Sequence, residues 1–222
     1  MSRKTYRQQL QQLQDQRAAE FERIGLVRRA NRIRRCGAFA GPRGPWACKD
    51  RFCPACARKK AAEINARLRG LIDAMNDPIT FVVKVISRLP TDLGWALDRV
   101  RAGLTELRRR APFRTANPMV AVVEACRTPD GLRWDAHAHL IIEEGAVDLD
   151  DVDHLWRTAT GGEGTVAIEK GRHWIYDPDA FCGYLSKRDD SAPDPGALDR
   201  DQLQVMVAAL RGRRLFASWG TR

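Results

Sequence analysis

The chain has 222 residues, is 44% hydrophobic and 30% charged, and carries a formal net charge of +10. That length supports one domain with a small accessory module, or two small domains, and no apolar run approaches the roughly 20 residues of a membrane span. The charge is lopsided: residues 1–70 hold 18 Lys and Arg against 5 Asp and Glu, so the whole basic excess lies in the first third.

A basic segment of this size suits a polyanion partner, most simply nucleic acid, although a solvated basic helix has the same composition. The start MSRKTYRQQL is charged and has no signal-peptide core, so the expected compartment is the cytoplasm, with no membrane partner. Thiols stay reduced there, and clustered cysteines more often bind metal than pair.

Residues 5–30 lack Pro and are rich in helix formers, predicting one long helix with Leu10, Leu13, Phe21, Ile24 and Val27 as a thin apolar stripe. Residues 36–56 are rich in Gly, Pro and Cys. A helix is expected over about 57–76, with Ala61, Ile64, Leu68, Leu71 and Ile72 on one side. An alternation follows: a strand at 80–86, a helix at 91–110 capped by Thr91 or Asp92, strands at 119–125 and 134–143, a helix at 148–160 and a strand at 164–170. Helices over 177–188, with Pro178 in the first turn, and about 198–211 close the chain. This order predicts an α+β fold, a ferredoxin-like β-α-β-β-α-β antiparallel sheet, preceded by an N-terminal helix and a zinc knuckle. The expected division is a basic helical segment with the knuckle over 1–76 and a second domain, carrying the sheet, over 77–222.

Cys36, Cys48, Cys53 and Cys56 fall within 21 residues, and Cys53-Pro-Ala-Cys56 is the tight half of a zinc site. Two intervening residues let both sulfurs reach one ion, and the surrounding loop has little else to hold it. A redox pair would need a thioredoxin-like βαβ unit around it. Bound zinc would present Lys49, Arg51, Arg58, Lys59 and Lys60 to phosphates. Cys126 and Cys182 read as ordinary buried residues.

His137 and His139 lie two apart on one strand, so both rings face the same way. A two-residue Asp130-Gly131 turn pairs the strands so that Glu124 lies opposite His137. Opposed Cβ atoms are about 5 Å apart, so Glu124, His137 and His139 converge. Two imidazoles and a carboxylate suit a divalent cation with open positions. A satisfied polar patch is the alternative, and another turn length would displace Glu124.

Tyr184 and Lys187 lie three apart and share a helix face. An apolar strand TFVVKVIS, then HAHLII, then YLSK resembles the HUH family of single-strand DNA nickases, and within it the plasmid rolling-circle replication initiators. The segments CKDRFCPACARKK and GRRLFASWG are similar to the ends of that group, so the resemblance covers roughly 36–220. Ala138 departs from the bulkier residue or proline often found between the histidines. The resemblance implies a carboxylate on the neighbouring strand, which Glu124 matches, with magnesium or manganese at the histidines and structural zinc at the cysteines. It implies that Tyr184 attacks a phosphodiester of single-stranded DNA at a replication origin, leaving a 5′-phosphotyrosine and a 3′ hydroxyl. Lys187 would neutralise charge on the phosphate or lower the tyrosine pKa. Host helicase and polymerase are the expected partners. Two other readings stay open. One is a transposase of an insertion sequence, for which Tyr176 would be the second tyrosine. The other is a non-enzymatic zinc-dependent nucleic-acid-binding protein stacking bases on Phe81 and Trp134 of the sheet.

Overall fold

The computed structural model describes residues 3–37, 40–41, 44–145, 147–167, 173–175, 177–186 and 198–219. The chain divides into two units, Met1–Ile64 with Ser186–Gln204, and Asn65–Leu185 with Val205–Arg222.

In the first unit, the expected single helix is two: α1 (Arg3–Arg23) and α2 (Val27–Arg34). Gly25 adopts φ +81°. Its N–H reaches the Glu22 carbonyl at 2.9 Å and the Leu26 N–H reaches that of Phe21 at 2.8 Å, the Schellman closure that glycine permits. The expected apolar stripe is also corrected. Leu13 and Val27 are exposed, and α1 buries Gln14, Ala18 and Phe21, with Ile24 buried just beyond its end. The reason is Gln14, whose amide donates to the carbonyls of Ile33 and Cys36, each at 3.0 Å. Two-residue strands β1 (Ala40–Gly41) and β2 (Gly44–Pro45) pair in the loop that follows. α3 (Pro54–Ile72) then starts on a proline, which suits a first helical position.

The second unit is built on an antiparallel sheet. Its elements are β3 (Pro78–Ile86), α4 (Leu93–Leu107), β4 (Met119–Arg127), β5 (Trp134–Glu143), α5 (Leu149–Ala159), β6 (Gly164–Ala167), β7 (His173–Trp174), α6 (Pro178–Ser186), α7 (Arg200–Ala209, which begins in the first unit) and β8 (Phe216–Trp219). The strands lie in the order β6-β3-β5-β4-β8, with β7 also on β3. This is the expected α+β class. Asp92 sits at the N-cap of α4 as expected but makes no side-chain cap bond. The sequence reading did not anticipate β7 or β8. Residues 168–170 and 187–188, expected in a strand and a helix, lie outside the described residues, as does Tyr176.

Alternation along the strands gives the sheet two different faces. One carries Ile79, Phe81, Val83 and Val85 of β3 and Trp134, Ala136, Ala138, Leu140 and Ile142 of β5, all buried, under α4 and α5. On the other, Val120, Val122 and Ile141 pack with Leu68 and Ile72 of α3 and Cys182 and Leu185 of α6. That cover lies towards one end of the strands, and the polar residues occupy the remainder.

The close packing of α4 on α5 gives a test. A Cβ on Gly103 would stand 2.7 Å from Trp156 Cζ3 and 2.9 Å from Thr160 Cγ2. Alanine gains about 1 kcal/mol over glycine in a helix, but overpacking a core costs about 1–3 kcal/mol, and Trp156 is fully buried. Gly103→Ala therefore lowers the melting temperature, by about 2–4 °C for each net kcal/mol; a thermal scan showing a higher melting temperature would contradict this packing.

Candidate functional site

β5 is the middle strand, hydrogen-bonded to β3 and β4 on either side. Its register with β4 pairs Glu124 with His137 and Val122 with His139. The turn that sets this register is not the expected one. Thr128 and Arg133 pair, with the Thr128 N–H on the Arg133 carbonyl at 3.0 Å, and the Gly131 N–H closes onto the Thr128 carbonyl at 2.7 Å. Gly131 has φ +69°, whereas Asp130 does not adopt positive φ, so the two-residue turn of mirror-image type is excluded. A four-residue loop with Pro129 in its first central position replaces it. Because 128 pairs with 133, the strand pairing is the same, and Glu124 stays opposite His137.

The three side chains converge. Glu124 Oε2 lies 3.4 Å from His137 Nε2 and 3.7 Å from His139 Nε2. Glu124 and His139 are 7% and 8% exposed. His139 Nε2 is buried with no hydrogen-bond partner among the described residues, an arrangement that costs free energy unless something else meets it. Both nitrogens face one oxygen, His137 in a long hydrogen bond and His139 beyond hydrogen-bond distance. Ligands about 2.1 Å from a shared ion would be about 3.0–3.4 Å apart, so small movements suffice to hold a divalent cation. Burial opposes charge on His137, but hydrogen bonding to Asp135, Cys126 and Glu124 and the Asp135 charge outweigh it, and its pKa is pushed up to about 11. The same two carboxylates that favour charge on this ring would favour a cation beside it.

α6 supplies the tyrosine. Asp177 caps the helix, its Oδ1 accepting from the Ala180 N–H at 2.9 Å, and Pro178 occupies the first helical position. Cys182 and Leu185, three apart, bury into the core, which leaves Tyr184 52% exposed. Its ring meets the His139 ring edge-on, with centroids 5.7 Å apart. The structure thus brings Glu124, His137, His139 and Tyr184 together. Lys187 lies outside the described residues.

The sequence reading missed three neighbours. Asp135 Oδ1 is 3.2 Å from His137 Nδ1, and Lys84, opposite His137 on β3, holds its Nζ 3.9 Å from Asp135 Oδ2. Cys126, expected as an ordinary buried residue, is half-buried opposite Asp135 and forms a second converging group with Asp135 and His137. All three have the strand parity of the histidines, and that signal could have found them. Cys182 is buried as expected, and burial first of all pushes its pKa up to about 11.

The four remaining cysteines converge in the other unit, their sulfurs all within 4.8 Å of one another. Cys56 Sγ is 3.5 Å from Cys36 Sγ and 3.6 Å from Cys48 Sγ. A disulfide would bring sulfurs to about 2.05 Å. Four thiolates at about 2.3 Å from a tetrahedral ion stand about 3.8 Å apart, so the spacing fits a metal such as zinc. The frame is pinned from outside: Arg29 forks onto Asp50 at 2.5 and 2.9 Å, Arg32 donates to the Cys48 carbonyl at 2.8 Å, and Lys49 turns the chain with φ 56°. Burial raises the Cys48 pKa and pushes that of Cys53 up to about 11. For Cys36 the same burial is outweighed by hydrogen bonds from the Cys48 N–H and from Cys56, Cys53 and Cys48, which lower it. Three of the four cysteines are buried, and four thiolates this close together would need a cation among them.

Of the basic residues around this cluster, Lys49, Arg51 and Lys59 are exposed. Lys60 pairs with Glu63 at 3.1 Å, an exposed contact worth at most about 1 kcal/mol that a phosphate can displace. Arg58 stacks over Tyr6 at 5.4 Å.

Purified protein is expected to carry one zinc per chain by elemental analysis, and replacing Cys53 and Cys56 together by serine removes it. Protein prepared without chelators that holds no metal would contradict the fit. No family model, no curated protein and no solved structure matches the chain, so the reading of these sites rests on their geometry.

Proposed function

We propose that the chain is an HUH-type endonuclease that nicks and rejoins single-stranded DNA, acting as a rolling-circle replication initiator. The observation that carries the reading is the exposed Tyr184, seated edge-on beside the buried Glu124–His137–His139 cluster. The strand order β6-β3-β5-β4, crossed by α4 and α5, agrees with a ferredoxin-like unit extended by β7 and β8, and this supports the same reading.

Glu124, His137 and His139 would hold magnesium or manganese, which when bound neutralises charge on the scissile phosphate. The Tyr184 hydroxyl, open to solvent, loses its proton and attacks the phosphorus. A bond forms from its oxygen to phosphorus and the bond to the 3′ oxygen breaks. The 3′ oxygen takes a proton and leaves as a hydroxyl, and reversal rejoins the strand without ATP. Lys187 is proposed to stabilise charge on the attacked phosphate. Zinc at Cys36, Cys48, Cys53 and Cys56 would be structural, holding Lys49, Arg51, Arg58, Lys59 and Lys60 towards the backbone of a bound strand. A 3′ hydroxyl at a defined nick primes a host polymerase, and a host helicase would open the duplex. The competing reading, base stacking on the sheet, is weakened because Phe81 and Trp134 are both buried on the face under α4 and α5.

The test is a covalent adduct. Incubated with manganese and single-stranded DNA of the cognate origin, wild type is expected to give a shifted band on a denaturing gel, and Tyr184→Phe none. DNA binding by wild type without any adduct would favour a non-enzymatic binder, and an undiminished Tyr184→Phe adduct would remove the nucleophile.

A further inference from the structure

Asp135 lies two residues before His137 on β5 and on the same face. It stands outside the group of Glu124, His137 and His139. One of its oxygens faces His137 Nδ1 at 3.2 Å and the other faces Lys84 Nζ at 3.9 Å. Its side chain is 18% exposed, so these contacts are partly shielded from water. His137 is therefore engaged at both nitrogens: Nδ1 by Asp135, and Nε2 by the cluster it shares with Glu124 and His139.

We propose that Asp135 is a positioning residue for cation capture, orienting the His137 ring from behind while Lys84 steadies the carboxylate. This rests on reading Glu124, His137 and His139 as a cation site. The reasoning is that of ligand orientation. An imidazole that coordinates through Nε2 must keep its other proton on Nδ1, and a carboxylate accepting from Nδ1 selects that tautomer and fixes the ring plane. Without it, His137 can rotate and present the wrong nitrogen.

Cys126, Asp135 and His137 also converge, so a second cation between them is the rival use of the same carboxylate. Lys84 argues against it, because its ammonium already stands beside Asp135 and would repel a dication there. The same cation suits the orienting role, since it holds Asp135 without competing for His137.

The experiment is manganese binding to the full zinc-loaded chain, read from the free Mn2+ signal by electron paramagnetic resonance, with no DNA present. Wild type is expected to bind one ion. Asp135→Ala is expected to weaken binding about 10–100-fold, with the melting temperature and zinc content unchanged. Asp135→Asn keeps an acceptor for Nδ1–H and is expected to recover most of the affinity. In a His137→Ala background, Asp135→Ala is expected to add no further loss, because the residue acts through the ring. Equal affinity of Asp135→Ala and wild type would overturn the proposal, as would an equal loss in both backgrounds. Two ions per chain, with one lost in Cys126→Ser, would overturn it in favour of the rival site. A wild-type chain that binds no manganese would overturn the cation site itself, a failure separate from that of Asp135.

Discussion

The pairing of Glu124 with His137 across β4 and β5 is the constraint on which the site depends. Strand side chains alternate with a period of two, so a slip of β5 by one residue would send His137 and His139 to the face under α4 and α5 and part them from Glu124. There they would displace Ala138 and Leu140, both fully buried in an apolar layer. Desolvating an unpaired carboxylate or imidazole costs several kcal/mol, so the apolar face enforces the polar one. The register is held from both sides, since β3 also pairs with β5 along its length.

Electrostatics then gives the polar face its character. Glu124, Asp135 and two imidazoles lie close together on a partly covered sheet face, and hydrogen bonding to the two carboxylates raises the pKa of the ring between them. Two imidazole nitrogens and a carboxylate oxygen within reach of one point are a donor set that a dication can share. The cysteine cluster repeats the logic with softer atoms: burial works against the thiolates at Cys48 and Cys53, and a bound metal reverses that. Each unit thus carries a set of donors that a cation could join, oxygen and nitrogen in one, sulfur in the other.

Much of this was legible in the sequence because the informative residues act locally. The bounds of β5, Trp134–Glu143, follow from its alternation and from the Asp130-Gly131 turn before it. The parity linking Glu124 to His137 survived a wrong turn type, since loops of two and four residues about the same centre pair the same strands. Tyr184 was placed on a helix by its pattern, and it was singled out by the resemblance of HAHLII followed by YLSK. What was not legible depended on contacts between distant segments. Gly25 reads as a tolerated helix glycine until the closure of α1 is seen. Gln14 outweighs Leu13 for the inner face only because the carbonyls of Ile33 and Cys36 arrive there. β8 is short and has no alternation signal of its own; it becomes a strand because β4 offers an open edge. Asp135 and Lys84 looked like ordinary strand charges until the register brought them to His137.

The central claim is that one cation is held at once by Glu124, His137 and His139. The most direct measurement is electron–nuclear double resonance on the manganese-loaded chain. Two nitrogen-14 couplings are predicted in wild type, with one remaining in His137→Ala and one in His139→Ala. A bound manganese without nitrogen coupling, or a spectrum unchanged by both substitutions, would contradict the account.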